Sequence, residues 1–354
     1  MPETSIVTVT VPATTANLGP GFDCIGAALS LYNRFQFSRL EPSATEKLKI
    51  TVTGQEAAKV KIDDSNLAYQ AFIKLYGYLN QSPPPVAIHI DMQVPLARGL
   101  GSSATAIIGG LVGANELAGK PLSQVEVMQL AIELEGHPDN VVPALLGGCR
   151  LAASNAPPQP PLSKGGLTEE SPLREGGLAE SPPLSKGGLT ESPPLSKGGQ
   201  GGGSWQICDI PWHPNIVPVV AIPDFELSTA EARQVLPADY SRADAIFNAA
   251  HLGLLLRALA TGDRDWLRCA LQDKIHQPYR QSLIQGYEAV QQAALNAGAY
   301  GMVISGAGPT LLALTAATNA DAVEKAMAAA WIEFGVKADV RAIGIDTQGA
   351  QVSI

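Results

Sequence analysis

Pro95-Leu96-Ala97-Arg98-Gly99-Leu100-Gly101-Ser102-Ser103-Ala104-Thr105 is the stretch that decides how this chain folds. Upstream of it Val86, Ile88, Ile90, Met92 and Val94 occupy alternate positions, the period of a strand with one buried face. Downstream, residues 104–118 are small and apolar, with the composition of a helix. The order is therefore strand, glycine loop, helix N-terminus. Gly99 and Gly101 permit positive φ and let a ligand come close to the backbone. Ser102 and Ser103 fall where the first helical N–H groups have no intrahelical partner, which makes the loop a cradle for an anion. No lysine follows in the Gly-x4-Gly-Lys-Ser/Thr pattern, so this is not a Walker loop. A plain serine cap after a glycine turn is the competing reading, and two glycines with two serines so tightly spaced favour phosphate.

With 354 residues, the chain has room for about two domains at roughly 150 residues each. Its residues are 45% hydrophobic with few aromatics, as in an ordinary α/β or α+β protein. A net charge of −9 with no basic stripe argues against nucleic acid or a membrane surface as partner. Cys24, Cys149, Cys208 and Cys269 are scattered without a CxxC pair, which fits a reducing cytoplasm and neither a disulfide framework nor a zinc site. The first residues carry Glu3 and no basic-then-apolar leader, so no signal peptide is expected. Without an 18-residue apolar run, no membrane span is expected either.

One segment stands apart in composition. From Pro160 a unit of Pro-Pro-Leu-Ser-Lys-Gly-Gly type recurs with an eleven-residue period, beginning at 160, 171, 182 and 193. Each unit holds helix-breaking Pro and Gly-Gly and hardly any apolar residue, so 155–204 reads as a disordered low-complexity insertion. Its flanks, 147–152 and 205–210, read as two strands that a short hairpin would otherwise join. Elsewhere 6–11 alternate as a strand and 65–79 have helical spacing. Ser123-Gln-Val-Glu126 and Ser228-Thr-Ala-Glu231 are capping boxes that open helices. Further helices are expected over 242–261, 263–275, 280–296 and 321–334, and strands over 301–305 and 311–314. Strands cluster beside helices without strict βαβ order, which favours α+β with two domains, 1–154 and 205–354.

Two more glycine-rich segments flank the phosphate loop in sequence: Pro12-Ala-Thr-Thr-Ala-Asn17-Leu-Gly-Pro-Gly-Phe-Asp23 and Ser305-Gly-Ala-Gly-Pro-Thr310. The first has G-x-G-x4-G spacing with Pro20 inside, so a dinucleotide fingerprint fails. Together with Glu135-Gly-His137-Pro-Asp139-Asn140, Ser228-Thr-Ala-Glu-Ala-Arg233 and Pro278-Tyr-Arg280, these segments resemble the small-molecule kinases named for galactokinase, homoserine kinase, mevalonate kinase and phosphomevalonate kinase. The likeness covers the whole chain except the repeats. It implies an N-terminal ribosomal-protein-S5-like ATP-binding domain and a C-terminal ferredoxin-like α+β domain, the first strand after the insertion completing the N-terminal one.

The resemblance also implies ATP and Mg²⁺. Residues 95–105 would cradle the triphosphate, with Asn66 near the adenine. Mg²⁺ prefers hard oxygen ligands, and a loop serine and a helix carboxylate would supply them. Ser103 is preferred to Ser102, and Glu133 to Glu135, which lies about 200° around the same helix and cannot face the same ion. Among the family's substrates the motifs match homoserine best. Arg233 and Arg280 would take its carboxylate bidentately, and Asp23 and Asp139 its ammonium. Asn17 and His137 would complete the pocket, with Asn140 nearest the reacting hydroxyl. Asn17, Asp23, Asn140 and Arg233 form the expected catalytic set. Asn140 stands where some relatives carry an aspartate, so direct in-line transfer without a strong side-chain base is expected. Phosphorylation of another small alcohol, or a silent ligand sensor, are the alternatives. The chain would be cytoplasmic, and a homodimer is left open.

Overall fold

The computed structural model describes residues 6–41, 46–155 and 205–354. The expected low-complexity insertion therefore lies, beyond Asn155, outside the described residues. Residues up to Ala153 and from Gln206 onward form one compact unit.

β1 (Ile6–Ala16) and β2 (Ile25–Arg39) are antiparallel, with Val9 opposite Phe35. β3 (Leu48–Gly54) follows, then α1 (Leu67–Tyr78) and β4 (Val86–Met92), which pairs parallel with β3 and antiparallel with β2. α2 (Ser102–Leu117) lies on that sheet because it carries glycines where the sheet carries rings. A Cβ at Gly109 would strike Phe35, and one at Gly113 would strike Phe37. α3 (Gln124–Glu135) opens on the expected capping box, and α4 (Pro138–Leu146) starts with its proline at N1, where no amide is needed. β5 (Cys149–Ser154) and β6 (Trp205–Ile210) pair with each other, as their flanking positions led us to expect.

β7 (Ile216–Pro223) begins a second sheet. α5 (Thr229–Gln234), α6 (Arg242–Thr261), α7 (Arg264–Ala270), α8 (Gln277–Arg280) and α9 (Tyr287–Asn296) come next. Then follow β8 (Gly301–Ile304), β9 (Leu311–Ala316), α10 (Ala320–Glu333) and β10 (Ala338–Ala342). This sheet runs β10-β7-β9-β8, all antiparallel, the 4-1-3-2 order of a split βαβ unit. Trp331, Met327 and Val323 of α10 and Val290 of α9 are buried against it. β11 (Gln351–Ser353) returns to the first sheet and pairs with β1. Two mixed helix–sheet halves in this arrangement make an α+β fold.

Two expectations need correction. The helix expected over 263–275 stops at Ala270, because the Asp273 carboxylate accepts the amides of Ile275, His276 and Gln277 and starts α8 instead. The helix expected from 280 begins only at Tyr287, after Gly286 at φ 74°. By length and mean hydropathy alone α6 is apolar enough to cross a membrane, although Asn248, His251 and Arg257 interrupt it. Its Leu255, Ala258 and Leu259 are fully buried in the core beside Leu267 and Leu312.

Candidate active site

The phosphate loop leaves β4 and enters α2 through three left-handed residues, Ala97 (φ 48°), Gly99 (φ 42°) and Gly101 (φ 65°). A side chain at Gly99 would collide with the Ser305 carbonyl oxygen, and one at Gly101 with the Thr14 hydroxyl. Gly101 is the N-cap of α2 and offers no side chain to its amides, so the first-turn N–H groups face the cavity. The Arg98 guanidinium is committed to the protein itself: it pairs with Glu56 and donates to the carbonyls of Leu96 and Asp224, which anchors the loop. Glu56 also accepts the Leu96 amide at 2.6 Å. Asn66 is spent in a similar way, capping α1 through Ala68 and Tyr69 while its own amide donates to Lys61.

The third glycine segment packs onto the other two. Ser305 Oγ donates to the Gly99 carbonyl at 2.5 Å and lies 2.8 Å from the Thr15 hydroxyl, and the Gly306 amide donates to Ala16. The Gly306 carbonyl then accepts both Asn17 Nδ2 (2.8 Å) and Arg280 Nη1 (3.1 Å). All three glycine segments thus meet at one point.

Ser103 donates to both carboxylate oxygens of Glu135, at 2.6 and 2.8 Å. This corrects the assignment of Glu133, which lies 3.7 Å from Lys74 with 57% of its side chain exposed. Glu135 closes α3 just before Gly136 turns left-handed (φ 89°), which brings it to the loop. Burial, with repulsion from Asp139, holds the Glu135 carboxyl above its ordinary value in spite of Ser103 and His137. A hard carboxylate and a hydroxyl at a helix N-terminus are donors that suit Mg²⁺.

At the far end Arg233 Nη2 donates to both oxygens of Asp23, at 2.9 and 3.1 Å. Asp23 is itself left-handed (φ 56°), and its amide donates to Asn17 Oδ1. His137 Nδ1 is 2.5 Å from Asp139. Burial disfavours the charged ring, but the hydrogen bond and charge of Asp139, with Glu135 and Asp23, outweigh it and raise the His137 pKa. Asn140 Oδ1 accepts the Thr14 hydroxyl at 2.7 Å. Arg280 is 2% exposed, and its guanidinium carbon lies 5.0 Å from the Phe22 ring centre, with that of Arg233 at 5.6 Å. Asp23, His137 and Asp139 bring three ligand atoms within 4.8 Å of one another, a cluster equally able to receive an ammonium.

A single cavity of about 530 Å³ is lined by residues 95–103, Asn66, Asn17, Asp23, Glu135, His137, Asp139, Asn140, Arg233 and Arg280. Ala104 and Thr105 lie just behind it, Thr105 donating back to the Ser102 carbonyl. Sequence reasoning missed Thr14, Phe22, Lys59 and Lys61. The first two sit inside a motif already singled out, whereas nothing around the lysines marked them.

The geometry is that of a small-molecule kinase of the galactokinase, homoserine kinase, mevalonate kinase and phosphomevalonate kinase family, and the chain belongs to that family. Residues 66–148 match the GHMP kinases N terminal domain and 255–333 the GHMP kinases C terminal domain. Among its relatives are homoserine kinases at high identity over nearly the whole chain. That of Trichormus variabilis is 60% identical over 346 residues, covering 98% of each chain. That of Trichodesmium erythraeum is 61% identical, covering 99% of each. A crystal structure of homoserine kinase from Cytophaga hutchinsonii superposes with a TM-score of 0.79 at 24% identity, covering 100% of this chain and 99% of that one. Mevalonate kinase of L. major, in complex with R-mevalonate, gives 0.63 at 15% identity, covering 96% and 95%.

Proposed function

We propose that this chain transfers the γ-phosphoryl group of ATP directly to the side-chain hydroxyl of L-homoserine, giving O-phospho-L-homoserine for threonine biosynthesis. One observation carries the reading: two arginines and two aspartates line the same cavity as the phosphate loop. An amino-acid zwitterion needs both charges matched, and a neutral sugar does not.

The first-turn amides of α2 hold the triphosphate, while the three-way packing of glycine segments keeps the loop rigid. Ser103 and Glu135 would hold Mg²⁺, which when bound would neutralise negative charge on the triphosphate. Arg233 and Arg280 fix the carboxylate, Asp23 and Asp139 the ammonium, and this orients the hydroxyl toward Asn140. The Asn140 amide cannot accept a proton, and the raised pKa of His137 favours its cation over the neutral ring a base requires. Catalysis then comes from positioning and electrostatics, which suit a loose phosphoryl-transfer transition state. Four free cysteines fit a cytoplasmic enzyme.

The test is ADP release across small alcohols. L-homoserine should stimulate it strongly, and homoserine lactone, which lacks the carboxylate, should not. Equal rates with the lactone or with a simple sugar would sink the assignment.

A further inference from the structure

Beside the cavity runs a buried polar relay of Asn248, Asp273 and His276, none of which lines it. Asp273 accepts Asn248 Nδ2 (2.7 Å) and the Ile275 amide (2.9 Å) on one oxygen. Its other oxygen accepts the amides of His276 (2.8 Å) and Gln277 (2.7 Å). Asn248 Nδ2 also reaches the Pro20 carbonyl at 3.2 Å. His276 is 0% exposed, and its Nε2 lies 2.9 Å from the Gly19 carbonyl oxygen. A carbonyl only accepts, so Nε2 carries the proton and Nδ1 keeps a lone pair. That lone pair faces Arg280 Nη1 at 3.5 Å.

Arg280 is otherwise committed to the backbone, Nε donating to the Ala232 carbonyl (3.1 Å) and Nη1 to that of Gly306 (3.1 Å). Nη2 is what remains for the cavity that Arg280 lines. The His276 ring also stacks on Phe22, with centres 5.3 Å apart, the same ring that Arg280 covers. One imidazole therefore touches both walls of the pocket: the 17–23 loop that carries Asp23, and the guanidinium opposite.

We propose that His276 is a positioning residue that sets the distance between the carboxylate-binding Arg280 and the ammonium-binding Asp23, and so tunes the pocket to the length of one α-amino acid. Nε2–H pins the loop at Gly19, and Nδ1 steers the guanidinium so that Nη2 points inward. The inference rests on the reading of Arg280 and Asp23 given above.

Steady-state kinetics of the parent, His276→Leu and His276→Gln test it, with the melting temperature of each. Loss of both contacts in His276→Leu should raise KM for L-homoserine roughly 10–100-fold while KM for ATP moves less than about twofold, because only one substrate's charges are misplaced. Gln can put a donor near the Nε2 position, so His276→Gln should recover most of the loss. An unchanged homoserine KM in a folded variant overturns the proposal. So does a parallel fall in both substrates' parameters, or a Gln variant no better than Leu. Failure of both variants to fold overturns it too, since the contacts would then serve the fold and not the pocket. A parent inactive on L-homoserine removes the functional reading first, and this inference falls with it; with an active parent the variants alone decide.

Discussion

Asn140, proposed to lie nearest the reacting hydroxyl, has its Oδ1 already taken by Thr14. Losing one such positioning or charge-stabilising group lowers rates by about 10²–10³-fold, and Asn140→Ala should fall in that range with no pKa gained or lost in the rate profile. His137 is the rival base. Were it one, activity would fall below its raised pKa and that dependence would vanish in His137→Gln; neither is expected. Glu135 and Glu133 separate just as sharply. Glu135→Gln should raise the Mg²⁺ requirement at least about tenfold, since it removes a charged oxygen ligand, whereas Glu133→Gln should leave it near the parent's. Most of these side chains were legible in the sequence because each sits in a short motif with its own chemistry. Glu135 was missed for a physical reason: helical phase says that two carboxylates diverge but not which of them faces the loop, and the left-handed Gly136 decides that.

The phosphate loop depends on space as much as on charge. Gly99 sits at φ 42°, and a methyl there would lie 2.1 Å from the Ser305 carbonyl oxygen, a backbone atom with little freedom to move. Left-handed backbone alone costs a non-glycine residue about 1–2 kcal/mol, so Gly99→Ala should weaken ATP binding at least about tenfold, read as KM for ATP in a variant checked for folding. α5 gives a milder case. Ser228 caps it and Arg233 ends its last turn, so Ser228→Ala should cost about 1 kcal/mol of stability and weaken homoserine more than ATP. Helices announced by capping boxes or long apolar periodicity were legible at this scale. β2 was not, although it is the longest strand, because Asn33 takes an inward position. Its amide bonds Thr105 and the backbone of Gln93 and Val94, and a buried amide satisfied by distant partners leaves no local trace. The short α8 was hidden for the same reason, its start being set by Asp273.

Across the whole molecule, β5 and β6, the strands on either side of the repeats, pair directly with each other. Deleting 155–204 and joining the flanks by a short turn should leave activity and melting temperature near the parent's, because the repeats carry too few apolar residues to build a core. Lost solubility or lost activity would show otherwise. Global stability should also respond to acid through His276. Burial, the largest effect, with Asp273 opposing it and Arg280 reinforcing it, lowers its pKa from 6.5 to about 4. Between those values the unfolded chain takes up a proton that the folded one refuses, so stability falls as pH drops through the window. Melting curves should show that slope, and His276→Gln should flatten it. The fold class and both ends of the cavity could be read before any coordinates, whereas the convergence of three distant glycine loops on Gly306 could not. The central claim meets its most direct test in the product. Phosphorus NMR of the enzyme with ATP, Mg²⁺ and L-homoserine should show ADP and a phosphomonoester resonance split by a neighbouring CH₂, in equal amounts. ADP with only inorganic phosphate, or no turnover at all, would contradict it.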